Sequence, residues 1–178
     1  MVRSRPRGVT PIEPAAGQES AWDYPRPPAL VPSTRRVVVT VDGPVDEPEA
    51  VVVADTTGAY RVLETSHPPS WYLPRADVRP GMLVPSRHRS TICEWKGAAT
   101  YWDVVGPGGV RIEAAAWSYE RPTARFEPIR GFVSFMPSMV ACSVDGQRVR
   151  PQAGGFYGGW ITDDVVGPFK GEPGTWGW

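Results

Sequence analysis

Long uninterrupted runs are what this sequence has least of. It carries 21 prolines and 19 glycines among 178 residues, and the longest stretch free of both is the twelve residues from Val110 to Arg121. Proline removes a backbone donor and clashes with the preceding helical turn, and glycine weakens a helix entropically. Isolated helices shorter than about 12–15 residues are marginal, so a helical bundle and a coiled coil are excluded. Apolar runs are also short. A membrane span needs about 20 such residues and a signal peptide a core of about 7–15, and neither pattern occurs. An excess of one charge is missing too: 19 Lys+Arg balance 19 Asp+Glu. No global field therefore draws in nucleic acid or anionic lipid. Cysteine is scarce; Cys93 and Cys142 are too few for a disulfide framework. The reading is a soluble, cytoplasmic chain with both thiols reduced. The two histidines and two cysteines form no Cys-x-x-Cys or His-x-x-x-His knuckle, so no metal site is expected. Nor does any motif call for a cofactor.

Between the breaks the residues are β-branched or aromatic. Runs at 36–41, 50–54, 59–63, 89–95, 100–105, 110–113, 131–136 and 140–144, each bounded by turn residues, predict an all-β domain. A compact antiparallel barrel or sandwich with short helical turns fits this pattern. Gly106-Pro-Gly-Gly109 reads as a hairpin loop, and Asp145-Gly146 as the two-residue turn that suits strand twist. The expected organisation is a flexible tail over residues 1–20, the β domain over 21–150, and an aromatic, glycine-rich extension over 151–178 that packs on the domain. In that extension the glycines let backbone lie flat against the body while aromatics anchor it. It has no phosphate-loop pattern.

Lysine is as scarce as cysteine. Only two of the 19 cations, Lys96 and Lys170, are lysines, and each stands between an aromatic residue and a glycine. Lysine is a compact charge whose pKa responds to burial, so it serves as acid, base or amine nucleophile; a lysine stem laid on neighbouring rings with its head in water is the plainer reading. Cys93 lies three residues before Lys96, and a thiol beside an ammonium is a usable nucleophile. On a straight strand Cys93 and Trp95 share one face and Glu94 and Lys96 the other, unless Gly97 introduces a bulge. Cys142 reads as core. His67 follows a strand and precedes Pro68-Pro69, which stiffen its loop; its imidazole suits proton transfer, with Glu64 to orient it. Of the eight tryptophans, most are expected in the core, since sheets of short strands need bulky filler, and a minority are expected to wall a concave site. The catalytic candidates are Lys96, Cys93, His67 and Glu64. The ligand-binding candidates are Arg61, Tyr72, Trp95, Tyr101, Trp117 and Tyr119, with Arg26 able to join Arg61 in an anion clamp.

Several ordered motifs resemble one family. They are Trp22-Asp-Tyr-Pro-Arg-Pro-Pro28, Arg61-Val-Leu-Glu-Thr-Ser-His-Pro-Pro69 with Trp71-Tyr-Leu-Pro74, Thr91-Ile-Cys-Glu-Trp-Lys-Gly-Ala98 with Tyr101, and Ala116-Trp-Ser-Tyr119 with Pro122. Together, over about residues 20–145, they resemble the domain-of-unknown-function family 427, also labelled nucleotidyltransferase-like. The segment from Pro151 to Trp178 is similar to an extension that many bacterial members carry. The resemblance implies a compact all-β domain akin to the β-tent, without that fold's zinc knuckles. The motifs coincide with Glu64, His67, Tyr72, Cys93, Lys96, Tyr101, Trp117 and Tyr119. No Gly-Ser pair followed by Asp-x-Asp occurs.

The expectation is an enzyme with an aromatic-lined pocket that acts on a small polar or heterocyclic metabolite by acid/base or covalent chemistry at Lys96 or Cys93. The alternatives are a noncatalytic small-molecule or nucleotide-binding module and a protein-interaction domain that uses the aromatic tail. The partner expected is a small-molecule ligand, with a homodimer left open and neither nucleic acid nor membrane called for.

Overall fold

A computed structural model describes residues 8–43, 49–175 and 178. The chain is all-β and sandwich-like, and among the described residues no sheet closes on itself. One antiparallel sheet runs Val133–Phe135, Arg111–Ser118, Thr100–Val105, Leu83–Pro85; a second runs Gln147–Arg148, Ala141–Val144, Val37–Val41, Val51–Thr56. A three-stranded sheet of Ala29–Pro32, Tyr60–Leu63 and Ser70–Tyr72 joins the first through an antiparallel bridge between Leu73 and Val133. Helical structure among the described residues is confined to three short turns: Arg75–Asp77, Pro107–Gly109 and Ala124–Ile129. No helix among them is long and apolar enough to cross a membrane.

Period-2 burial explains the main core. On Val37–Val41, Val37, Val39 and Val41 are buried while Val38 and Thr40 are only half so. They meet Val53, Val104, Val133, Phe135, Cys142 and Val144, and Trp71 and Trp160 stack among them with ring centroids 6.2 Å apart. Asp145 (φ 49°) and Gly146 (φ 80°) turn the hairpin between Ala141–Val144 and Gln147–Arg148, as the Asp-Gly pair predicts.

Three features differ from the sequence reading. The run at 110–113 continues to Ser118 across a bulge. The register shifts between Trp102 and Val104, Ala114 opposite sits at φ 51°, and its N–H donates to Asp103 Oδ1 at 3.0 Å. The run at 89–95 shrinks to a two-residue strand, Ile92–Cys93, paired with Gly97–Ala98. The tail reading for 1–20 does not hold at its far end. Glu19–Ser20 pairs in parallel with Val165–Val166, and Ile12 N–H donates to Gly167 O. Those backbone groups find partners only 145 or more residues away, which no local pattern announces. Residues 1–7 of that tail, and 176–177 of the extension, lie outside the described residues. The extension supplies core as well as cover: Trp160 is fully buried, and its indole donates to Phe135 O at 3.0 Å.

Candidate functional site

The strand Arg111–Ser118 is covered on both faces in its second half. Ala116 belongs to the main core, whereas Trp117 and the following Tyr119 point the other way into a second cluster with Val62, Tyr72, Ala99, Phe126 and Ile129. Tyr101 lies directly across from Trp117 on the neighbouring strand. These rings form the floor of a cavity of about 320 Å³, near the lower end of the range for small-molecule sites. Trp117 Nε1–H donates to Tyr72 Oη at 3.2 Å, and Tyr72 lies 6.2 Å from Tyr119 between centroids, which makes the floor one contiguous aromatic surface.

One wall is the hairpin at 92–98. Gly97 holds φ 98°, a left-handed conformation open to glycine and costly for other residues, and the chain reverses over Glu94, Trp95 and Lys96. Cys93, Glu94, Trp95 and Lys96 therefore all line the cavity, where a straight strand would have split them between two faces. Thr123 clamps the turn from outside, its hydroxyl donating to Trp95 O at 2.6 Å and its N–H to Lys96 O at 3.3 Å. Lys96 is 8 % exposed, with Nζ 5.6 Å from the Tyr119 ring and 5.7 Å from that of Phe126. Its ammonium acts on the Cys93 thiol and the Tyr72 hydroxyl. Burial works against its charge, but the pull of Tyr72, Cys93 and Glu64 outweighs it and holds the pKa above the ordinary lysine value. Lys96 is thus a cation, not a free amine. Burial raises the pKa of both floor phenols, Tyr72 and Tyr119, so each stays a neutral hydroxyl at physiological pH.

The second wall is the loop from Glu64 to Pro69. Ser66 adopts φ 67°; its N–H donates to Ala21 O at 2.9 Å and its carbonyl accepts from Lys170 N–H at 2.8 Å. Segments from both ends of the chain thus fasten it. His67 Nδ1 lies 3.0 Å from Thr65 O. A carbonyl can only accept, so the neutral ring carries its proton on Nδ1 and leaves Nε2 as the basic atom. Burial pushes the His67 pKa below its usual value. Glu64 and the Thr65 carbonyl pull it up, while Lys170 and Arg26 push the same way as burial. Glu64 Oε1 accepts from Trp95 Nε1–H at 3.3 Å and pairs with Arg26 at 3.5 Å; Arg26 also pairs with Glu94 at 2.8 Å.

Lys96, Cys93, His67, Glu64, Tyr72, Trp95, Tyr101, Trp117 and Tyr119 all line this one cavity. Arg61 does not. On Tyr60–Leu63 it points away from the face that carries Val62 and Glu64, donates to Glu19 Oε1 at 2.8 Å and lies over the Trp71 ring at 5.6 Å. Its place is structural, and the anion clamp it was to form with Arg26 is not built. The sequence reading assigned no site role to the strap that closes the cavity, Gln152 and Phe156 to Gly159. A Cβ on Gly158 would stand 2.1 Å from Trp117 Cη2, and one on Gly159 2.6 Å from Pro68 Cγ. The Gly158-Gly159 pair was the available signal, since two bare residues in succession permit such close approach. Tyr157 meets His67 edge to face at 5.1 Å. Among the described residues no three His, Cys, Asp or Glu side chains gather as metal ligands would.

No curated protein matches the chain. Residues 29–148 match the family described as a domain of unknown function, DUF427. The matched segment carries Glu64, His67, Cys93, Lys96 and Tyr119, while Arg26, the strap and Lys170 fall outside it. With about two thirds of its length matched, the chain belongs to the DUF427 family.

Proposed function

We propose that the cavity is the active site of a small enzyme that acts on a small polar or heterocyclic molecule by nucleophilic chemistry at Cys93. The observation that carries this reading is that Cys93, the buried Lys96 ammonium and His67 all line one ligand-sized cavity. The field of the Lys96 ammonium reaches Cys93 and stabilises negative charge on the sulfur as it attacks. The thiol sulfur adds to an unsaturated carbon of the substrate: the carbon–sulfur bond forms as the S–H bond and the carbon's π bond to oxygen or nitrogen break. The proton lost from Sγ passes to the basic Nε2 of His67 and returns to that heteroatom or to the leaving group. In a reducing cytoplasm Cys93 remains available as a thiol.

The test needs no substrate. Iodoacetamide is added at neutral pH and labelling is followed by mass spectrometry. Cys93 is expected to alkylate several-fold faster than free cysteine, and Lys96→Met to remove that advantage. Cys142 is 1 % exposed, burial pushes its thiol pKa up, and it is expected to label only after unfolding. A Cys93 that reacts no faster than free cysteine, or as fast in Lys96→Met, would overturn the proposal. An aromatic-walled site with a slow thiol would then be a binding module without turnover.

A further inference from the structure

Lys96 is a buried ammonium without a carboxylate partner: among the described residues no ion pair within 4.0 Å joins it to Asp or Glu. Glu64, whose field reaches it, is already engaged by Arg26 and the Trp95 indole. A buried charge lacking a close counter-ion is costly, and an ammonium has three N–H donors to place. The formal charges around the cavity also leave a surplus. Lys96, Lys170 and Arg26 face it as cations against Glu64 and Glu94, with His67 neutral. Arg26 bridges the two glutamates, and Lys170 Nζ donates to the main-chain oxygen of Trp178 at 2.8 Å. The unmet positive charge therefore sits at Lys96, on the aromatic floor.

The mouth has the opposite character. Ile92 and Phe156 both line the cavity, yet they are 78 % and 72 % exposed and come from separate elements, the 92–98 hairpin and the C-terminal strap. Between mouth and floor the walls present the rings of Trp95 and Tyr157, above the Tyr101 and Trp117 rings of the floor. Ring faces and edges accept planar apolar groups best.

From this polarity we propose that the site takes a small planar anion, an aromatic or heteroaromatic monocarboxylate, with its carboxylate on Lys96 and the neutral phenols and its ring against the aromatic walls beneath Ile92 and Phe156. The inference rests on reading the cavity as a small-molecule site and names the class of molecule. The anchoring carboxylate and the carbon attacked by Cys93 are separate groups of that molecule. The cavity holds about the volume of ten liquid waters, so a single ring system with one or two substituents fills it.

The experiment titrates benzoate, benzamide, benzylamine and cyclohexanecarboxylate into the full chain. Tryptophan fluorescence reports binding, since Trp95 and Trp117 line the site, and thermal stabilisation provides a second readout. Benzoate is expected to bind at millimolar concentration or below and at least about tenfold more tightly than benzamide, the scale of one hydrogen bond to a charged group. Cyclohexanecarboxylate is expected to bind more weakly than benzoate, benzylamine not at all. Lys96→Gln should bring benzoate and benzamide within twofold of each other, and Lys96→Arg should keep the preference. If Lys96→Gln does not fold, the wild-type series alone decides. Benzamide binding as well as benzoate, or no binding of any probe, would overturn the proposal. The probe series on the wild-type chain reads carboxylate binding and iodoacetamide labelling reads the thiol, so this inference and the catalytic reading fail separately.

Discussion

Gly158→Ala adds one methyl group where the strap lies on the cavity floor. The new Cβ would stand 2.1 Å from Trp117 Cη2, 2.8 Å from Cζ3 and 3.1 Å from Met136 Sδ. Methionine can swing aside, but the indole cannot. Its strand, Arg111–Ser118, is paired on both sides, and its Nε1–H is held by Tyr72 Oη. The backbone at 158 is not in the left-handed region, so the cost is steric. Forcing a methyl into a packed site costs about 1–3 kcal/mol. In a chain of this size each kcal/mol moves Tm by about 2–4 °C, giving an expected drop of roughly 2–12 °C. The alternative relief is for the strap to lift, which would open residues 152–159 to proteases. Calorimetry and limited proteolysis read the two outcomes. Gly58→Ala is the control: its nearest atoms are 3.6 Å away and its backbone conformation suits alanine, so it should be neutral or stabilising by about 0.4–1 kcal/mol. A Gly158→Ala protein that melts within a degree of wild type, with the strap as protected as before, would refute the placement of the strap on Trp117.

Two further outcomes follow from the geometry. The folded-state pKa of His67 lies below its unfolded value, the burial effect prevailing among Glu64, Lys170, Arg26 and the Thr65 carbonyl that face it. The unfolded chain then binds the extra proton, so this stability is fully present above the unfolded pKa and falls away as pH drops through about 6.5 toward the folded value; His67→Gln should flatten that part of the stability profile measured by urea denaturation, and an unchanged slope would refute it. Arg61→Met should cost about 1.5–3 kcal/mol through loss of the charged hydrogen bond to Glu19, yet leave benzoate affinity and Cys93 alkylation unchanged, whereas a loss of either would place Arg61 in the site after all.

The chemistry of the cavity was legible because it resides in unusual residues. Lys96 stood out among arginines, Cys93 stood three positions away, and His67 preceded a proline pair; each is a local fact of residue type and spacing. Their convergence was harder to read. Straight-strand alternation sends Cys93 and Lys96 to opposite faces, and only the reversal before Gly97 brings both to one wall. For Arg61 the signal was present: one step from Val62 and three from Glu64, it must face the other way on a strand, where it finds Glu19 and Trp71. The bulge at Asp103 and Ala114 was hidden, since alanine at φ 51° carries none of the glycine or asparagine signature that marks such a conformation.

Composition by itself determined that this chain would be built from short strands. Prolines and glycines spaced a dozen residues apart or less leave no room for helices, while the β-branched and aromatic runs between them favour pleated backbone, and Asp145-Gly146 sets its own turn. Only the tertiary structure decided that these strands enclose a site. Its loop is fastened by Ala21 and Lys170, its floor is sealed by Gly158, and its rim is charged by Arg26, all contributed from parts of the chain remote from Cys93. A two- or three-residue strand carries too few side chains to specify its partner, so the pairing that closes the cavity is settled by what else must be buried and hydrogen-bonded when the whole chain folds.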